Sequence, residues 1–395
     1  LFLAGIIPGP QEPSLDSSNS YFTPIVDYFE KLWWSGIRYT KTWKHPFGRL
    51  VRTALIAVIC DIPAARKIGG FSSCNHRRFC NICWCRKHLK RDQSLNCHGG
   101  DNRSGQGGGY DSEGDNRRLF NKSGIRWSPL YLLPYFDLSC MIIIDSMHNL
   151  FLGLLKEHFR RILGFCVKTK RDKAMSGAVN IDIPDDTHIP LEDKHIKSVK
   201  SIKRLLEQLL AERETQKESV VGKTLNVGSV VNMEEMQIVW KDLENIVKPS
   251  WLTSVPTRVG GSEGHGKLKA DQWRTLGLTY MPISLIRLWA ESTEAPERRA
   301  LLELTMNLVT AIIIATSYET SQENSEAYTH YMIQYRSGLR KLFPDYHCHP
   351  NHHMALHIGE YLCMYGPVQG WWTFPFKRAI GMLERISTNY KAGEL

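Results

Sequence analysis

The chain has 395 residues, 42% hydrophobic and 23% charged, with a formal net charge of +10 and a pI near 9.0. These values fit a folded protein of about two or three domains and exclude an intrinsically disordered one. The basic excess favours a polyanionic partner, nucleic acid ahead of an anionic membrane surface. Apolar runs such as Leu308 to Ala315 are too short to cross a bilayer, so no membrane partner is expected.

The chain opens at Leu1 rather than Met and stops as abruptly at Leu395, so both ends read as cut. Gly-Pro turns at Pro8-Gly9-Pro10 precede an amphipathic stretch in which Tyr21, Ile25, Tyr28, Phe29 and Leu32 recur at helical spacing. Residues 49–60 then run apolar and β-branched into Asp61-Ile62-Pro63. Such a run predicts a buried strand that presents the Asp61 carboxylate at its end. From Ile62 to Arg91 there are eight Lys or Arg and no Asp or Glu. Six of these, Arg66, Lys67, Arg77, Arg78, Arg86 and Lys87, are the expected contacts to a DNA backbone.

Half of the ten cysteines fall in the same region: Cys74, Cys80, Cys83, Cys85 and Cys97. Clustering of this kind predicts metal binding in a reducing compartment rather than a disulfide framework. Cys80-x-x-Cys83 has the spacing that lets two thiolates hold one zinc ion. The remaining ligands are open among Cys74, His76, Cys85, His88, Cys97 and His98. The zinc would be structural, holding a loop region that cannot build its own core. Residues 98–118 are Gly-, Asn- and Asp-rich, and Gly105 to Gly109 lacks the strand-to-helix context of a phosphate loop.

Met141-Ile142-Ile143-Ile144 predicts a second short strand, Asp145-Ser146 a helix cap, and Asn149 to Ile162 a helix. Asp61 and Asp145 each follow a strongly apolar run. Carboxylates at the ends of neighbouring strands can share divalent metals for phosphoryl transfer, although acids also end strands merely as caps. Val199 to Arg213 is amphipathic and helical. Val221-Gly222-Lys223-Thr224 is not a Walker A loop, because Lys217 stands where the first glycine is needed. Gly260 to Gly266 is a polar loop leading into Lys267 and Lys269, two further candidate phosphate contacts. Residues 268–340 read as helices, with Met306 to Ala315 in a core. The histidines of Asn351-His352-His353-Met354-Ala355-Leu356-His357 read as core and surface residues, since no HExxH is present.

Taken in order, the strings resemble the CACTA-type (En/Spm-like) transposase family in its basidiomycete fungal form. They include Phe2 to Pro10, Cys60-Asp61-Ile62-Pro63-Ala64-Ala65-Arg66-Lys67, and Phe79-Cys80-x-x-Cys83. Ile144-Asp145-Ser146-Met147-His148-Asn149-Leu150-Phe151-Leu152-Gly153, Gly266 to Arg274, Pro350 to Gly359 and Gly366 to Phe376 complete the set. The resemblance implies an α/β fold with a ribonuclease-H-like core, N-terminally incomplete here, a zinc-binding loop region and a large, mostly helical insertion and C-terminal part. The corresponding boundaries are 1–69 (core), 70–125 (Cys/His- and Gly-rich loops), 126–170 (strand and helix carrying Asp145), 171–345 (helical insertion) and 346–395 (His- and aromatic-rich end).

It also implies a cut-and-paste DNA transposase in the nucleus, working on double-stranded transposon ends and target with magnesium or manganese, and self-associating in a synaptic complex. Asp61 resembles the second acid of the family's catalytic triad, and Cys80 and Cys83 the CxxC that follows it. The first acid is expected upstream of Leu1. The third is either Asp145 or the position of Lys377, where the family commonly reads Phe-Pro-Phe-Glu-Arg and this chain reads Phe374-Pro375-Phe376-Lys377-Arg378. A lysine there cannot ligate magnesium, so this chain by itself is expected to be inactive. A decayed or co-opted remnant that only binds DNA or a protein is the alternative expectation.

Overall fold

The computed structural model describes residues 4–5, 7, 13–73, 76, 79–83, 124–165, 225, 227–228, 230–259, 268–290, 296–383 and 385. The chain clusters into two compact units. The first comprises Leu1–Trp84, Asp101–Ile144 and Thr373–Leu395, and the second Cys85–Gly100 and Asp145–Trp372.

The first unit opens with helix α1 (Leu15–Trp34), capped by the Ser14 hydroxyl, which accepts from Ser17 N. Its buried positions include Ser18, Val26 and Leu32, whereas Tyr21, Ile25 and Tyr28 of the expected apolar stripe are exposed. Strands β1 (Ile37–Tyr39) and β2 (Arg49–Val51) then pair antiparallel, Arg38 opposite Leu50. The apolar run 49–60 is therefore two strands, because β2 belongs to this hairpin and only β3 (Val58–Cys60) enters the interior. Helix α2 (Ile62–Ile68) follows directly, with Pro63 in its first turn where no intrahelical N–H is needed.

After the short helix α3 (Leu138–Met141), strand β4 (Ile142–Ile144) pairs with β3 in parallel, Val58 with Ile142 and Cys60 with Ile144. All three β4 side chains are buried, the pattern expected of a strand covered on both faces. Gly69, after α2, lies so near β4 that an added Cβ would meet Ile142 Cδ1 at 2.5 Å. Gly70 has φ +72° and its own Cβ position is 2.3 Å from Arg126 O, so both sites require glycine. Helix α11 (Phe374–Leu383) completes this unit.

The second unit is helical throughout its described part. Asp145 is followed by two π-helical stretches, Met147–Leu155 and His158–Ile162, whose apolar side chains are nearly all buried. The predicted helix over 149–162 is thus present but wound more widely. Then come α4 (Met233–Asn245), α5 (Ala270–Thr275), a π turn (Leu276–Tyr280), α6 (Met281–Trp289), α7 (Pro296–Ala315), α8 (Gln322–Leu342), α9 (Pro350–Met354) and α10 (Ile358–Tyr365). Helices α7 and α8 are packed neighbours joined by a short connection. Gly338 lets them approach, since a Cβ there would fall 2.8 Å from Leu304 Cδ1. The α/β expectation holds in coarse form, as a mostly helical chain with two small sheets among the described residues. The helix expected over Val199 to Arg213 lies outside those residues.

Candidate functional site

The parallel register fixes where the two acids stand along the chain. Cys60 pairs with Ile144, and the next residue on each strand is an acid, Asp61 after β3 and Asp145 after β4. Both acids cap helices. Asp61 Oδ1 accepts from Ala64 N at 2.9 Å and is the N-cap of α2, half-buried. Asp145 is fully buried, and its carboxylate accepts from Met147 N (3.2 Å) and His148 N (3.1 Å). The His148 ring approaches through Nδ1, 2.5 Å from Oδ2. Asp145 therefore has both oxygens engaged at the start of the π-helical segment. Lys377, the other candidate position for a third acid, is exposed on α11, and α11 belongs to the same unit as β3 and Asp61.

The cysteine pair has the internal form of a metal knuckle. Cys80 is fully buried, and the backbone N–H groups of Ile82 and Cys83 donate to its Sγ at 3.4 and 3.3 Å. Donors arranged in this way favour a thiolate over a thiol.

Two histidines form the matching half of a donor set. His353 lies on α9 and His357 four residues later, one helical turn on, so both rings emerge on one side. Their Nε2 atoms are 3.2 Å apart, near the ~3.3 Å edge of a tetrahedron of nitrogens about 2 Å from a zinc ion. Helix α9 is held in place by Asn149 Nδ2, which donates to Asn351 O at 3.1 Å. Gly153 provides the clearance, because a Cβ there would stand 2.6 Å from Asn351 Nδ2. The Nδ1 of His357 faces Glu360 Oε2 at 3.5 Å, an orientation that leaves Nε2 for a ligand.

The ligand atoms of Cys80, Cys83, His353 and His357 all lie within 4.8 Å of one another, and these four can hold a metal ion such as zinc. Two sulfurs and two imidazole nitrogens, nearly all buried, suit a closed tetrahedral zinc site. The histidine half corrects the expectation that this string serves only core and surface. His352 does belong to the core, where burial pushes its ring down to about 3 and keeps it neutral. His349 sits beside Glu157, Nε2 to Oε1 3.1 Å. Burial raises Glu157, but the hydrogen bond and charge of His349, with Arg161, more than offset it and hold the carboxyl below its ordinary range. Of the ligands left open by the sequence, His76 is not in the four-residue group. Cys74, Cys85, His88, Cys97 and His98 lie outside the described residues.

The expected phosphate contacts divide. Arg66 is buried, 3% exposed, and its Nη1 donates to Ser72 O at 2.8 Å, so its charge serves the interior of the unit. Lys67 is half-exposed, and its carbonyl accepts from the Arg126 guanidinium. Lys269 is exposed at the start of α5. Arg77, Arg78, Arg86, Lys87 and Lys267 lie outside the described residues.

No helix among the described residues is long and apolar enough to cross a membrane. No family model matches the chain, and a search of curated proteins finds no match.

Proposed function

We propose that the chain carries the catalytic region of a cut-and-paste DNA transposase of the CACTA type, with a ribonuclease-H-like core built around β3 and β4. One observation carries this: two adjacent parallel strands end in register, and each is followed at once by an aspartate. Neighbouring strands lie about 4.8 Å apart, which suits carboxylates that share divalent cations. The string resemblance from Phe2 to Phe376 and the net charge of +10 support the same function.

In this function Asp61 is the carboxylate that holds magnesium or manganese, which when bound supplies charge stabilisation for phosphodiester hydrolysis and strand transfer. The Asp61 carboxylate has one oxygen on the α2 cap, and among the described residues its other oxygen accepts no hydrogen bond. Asp145 has its oxygens committed to Met147, His148 and the His148 ring. That favours the position of Lys377 for the third acid, with Asp145 acting as the brace beneath it in sequence order. Cys80, Cys83, His353 and His357 hold zinc as a structural ion. Double-stranded transposon ends and target DNA in the nucleus are the substrates, and self-association pairs the ends.

A second function is favoured by Lys377 itself. An ammonium where a carboxylate is required repels a divalent ion, which fits a remnant that binds DNA or a protein without cutting. Manganese-dependent nicking of labelled transposon-end duplex by the natural full-length protein distinguishes the two, with Asp61→Ala and Asp145→Ala beside it. Cleavage abolished by Asp61→Ala supports the transposase. Salt-sensitive duplex binding without cleavage, in a sample that also gains no activity from Lys377→Glu, supports the remnant and overturns the enzyme.

A further inference from the structure

Between Glu30 and Asp61 the sequence contains no acidic residue, while Lys31, Arg38, Lys41, Lys44, Arg49 and Arg52 supply six cations. The β1–β2 hairpin lies in the middle of this stretch, and both of its strands are exposed along their whole length. At its tip Trp43 is 99% exposed and Phe47 93% exposed, with Tyr39 half-exposed beside them on β1. Large aromatic rings bared to this extent carry a hydrophobic cost that a monomer has no reason to keep. Their alternation with cations is the pattern of a surface that stacks bases and tracks phosphates.

The hairpin is also built to hold its shape. Gly36 and Gly48 adopt φ +68° and +82°. A Cβ at Gly48 would stand 2.3 Å from Tyr39 O, and one at Gly36 would stand 2.7 Å from Val51 O. The tip is closed by reciprocal backbone bonds between Thr42 and His45 (3.0 and 3.2 Å), and the Thr42 hydroxyl accepts from His45 N at 3.0 Å. Arg49 Nη1 meets His45 Nε2 at 2.9 Å across the loop. Trp43 and Phe47 are therefore presented on a braced turn, which lowers the entropy lost when they bind.

We propose that the β1–β2 hairpin is a binding element for DNA with unpaired bases, Trp43 and Phe47 stacking on the bases while Lys41 and Lys44 contact the adjoining phosphates. Charge complementarity selects the occupant: a second copy of this chain would bring the same cations against themselves, whereas a nucleic acid strand matches them. The inference deepens the transposase function, since single-stranded DNA arises wherever a transposon end is nicked.

The test is fluorescence anisotropy of the 395-residue chain with labelled oligo-dT of twenty nucleotides, beside a duplex of equal length, over a salt series. Trp43→Ala/Phe47→Ala is expected to weaken oligo-dT binding by about 10-fold per ring and duplex binding much less. The melting temperature should stay unchanged, because both side chains are outside the core. Lys41→Ala/Lys44→Ala is expected to flatten the salt dependence by about 0.7 per lost contact, as for single strands. Equal oligo-dT affinity in the wild type and the aromatic variant would overturn the hairpin's role while leaving the transposase function standing. So would concentration-dependent self-association that the aromatic variant abolishes without any change in DNA binding. Conversely, aromatic-dependent binding by a full-length protein that never nicks DNA would support the hairpin and remove the enzyme.

Discussion

Asp145 and His148 are locked to each other at the start of the second unit: the His148 ring nitrogen Nδ1 lies 2.5 Å from Asp145 Oδ2, three residues apart and with the carboxylate wholly buried. The same carboxylate takes the N–H groups of Met147 and His148, so one side chain closes the end of a helix and pairs with a ring. Buried carboxylates survive only with such company.

The Asp145→Ala variant is accordingly expected to lose about 3 kcal/mol of stability, because two backbone donors and a histidine lose their acceptor together. His148→Ala should cost about 1–2 kcal/mol. Urea unfolding followed by circular dichroism measures both. Wild-type stability in Asp145→Ala would mean that this carboxylate is not a brace and would return it to the list of metal ligands.

Lys377→Glu tests the alternative third acid directly. The substituted residue lies on the exposed surface of α11, so folding should be unaffected. Manganese affinity, read by isothermal titration, is expected to rise by at least about 10-fold as an ammonium is exchanged for a carboxylate. No gain would place the third acid elsewhere.

Zinc content gives a separate check. Purified protein should carry one zinc per chain by plasma emission spectroscopy, and Cys80→Ser or His357→Ala should each lower retention sharply during dialysis against a mild chelator. Glu360→Ala should weaken retention by about 10-fold through the freed His357 ring, with all four ligands still present. Full zinc occupancy in both ligand variants would rule out the four-residue group.

His158 predicts a pH dependence of stability. It is buried between Tyr335 (Nδ1 to the hydroxyl, 3.2 Å) and Thr305 (Nε2 to Oγ1, 2.9 Å), and burial drives its pKa down to about 3. The folded protein keeps this ring neutral, whereas the unfolded chain protonates it near its ordinary value of 6.5. Stability from this group is thus complete above pH ~6.5 and falls by about 1.4 kcal/mol per pH unit below it, until pH approaches 3. Denaturation at pH 7, 6 and 5 should show a steeper decline for the wild type than for His158→Gln. Parallel slopes would mean that the ring titrates normally.

Much of the local structure was legible. Two short β-branched runs, each ended by an acid, announced β3 and β4, since only a strand covered on both faces needs such uniformly apolar residues. The pairing between them was not, because parallel partners are joined through a long crossover that leaves no local signature. The apolar stripe of α1 pointed to Tyr21, Ile25 and Tyr28, yet Val26 and Leu32 carry the buried face. Aromatic residues on a helix advertise a core whether or not one covers them.

The metal group was half legible for a related reason. Cys80 and Cys83 stood out through their spacing, and the search for partners stayed among nearby cysteines. His353 and His357 bear a signal of their own, a pair of histidines one helical turn apart. It was outweighed by the absence of HExxH, a rule that concerns catalytic zinc and not a structural ion. The exposed aromatic hairpin went unread because attention went to the denser basic run that follows it.

The π-helical turns from Met147 to Ile162 have a consequence for the ancestry of the segment. A π turn accommodates one residue more than an α turn in the same span of axis, so this helix is an ordinary one that has absorbed extra residues without giving up its buried side. Deleting a single residue there should let the coil relax to α form and turn everything after it by about 100°. Length, rather than composition, is then what natural variation can least afford to change in this stretch. Related chains should tolerate substitution among its leucines far more readily than a gap.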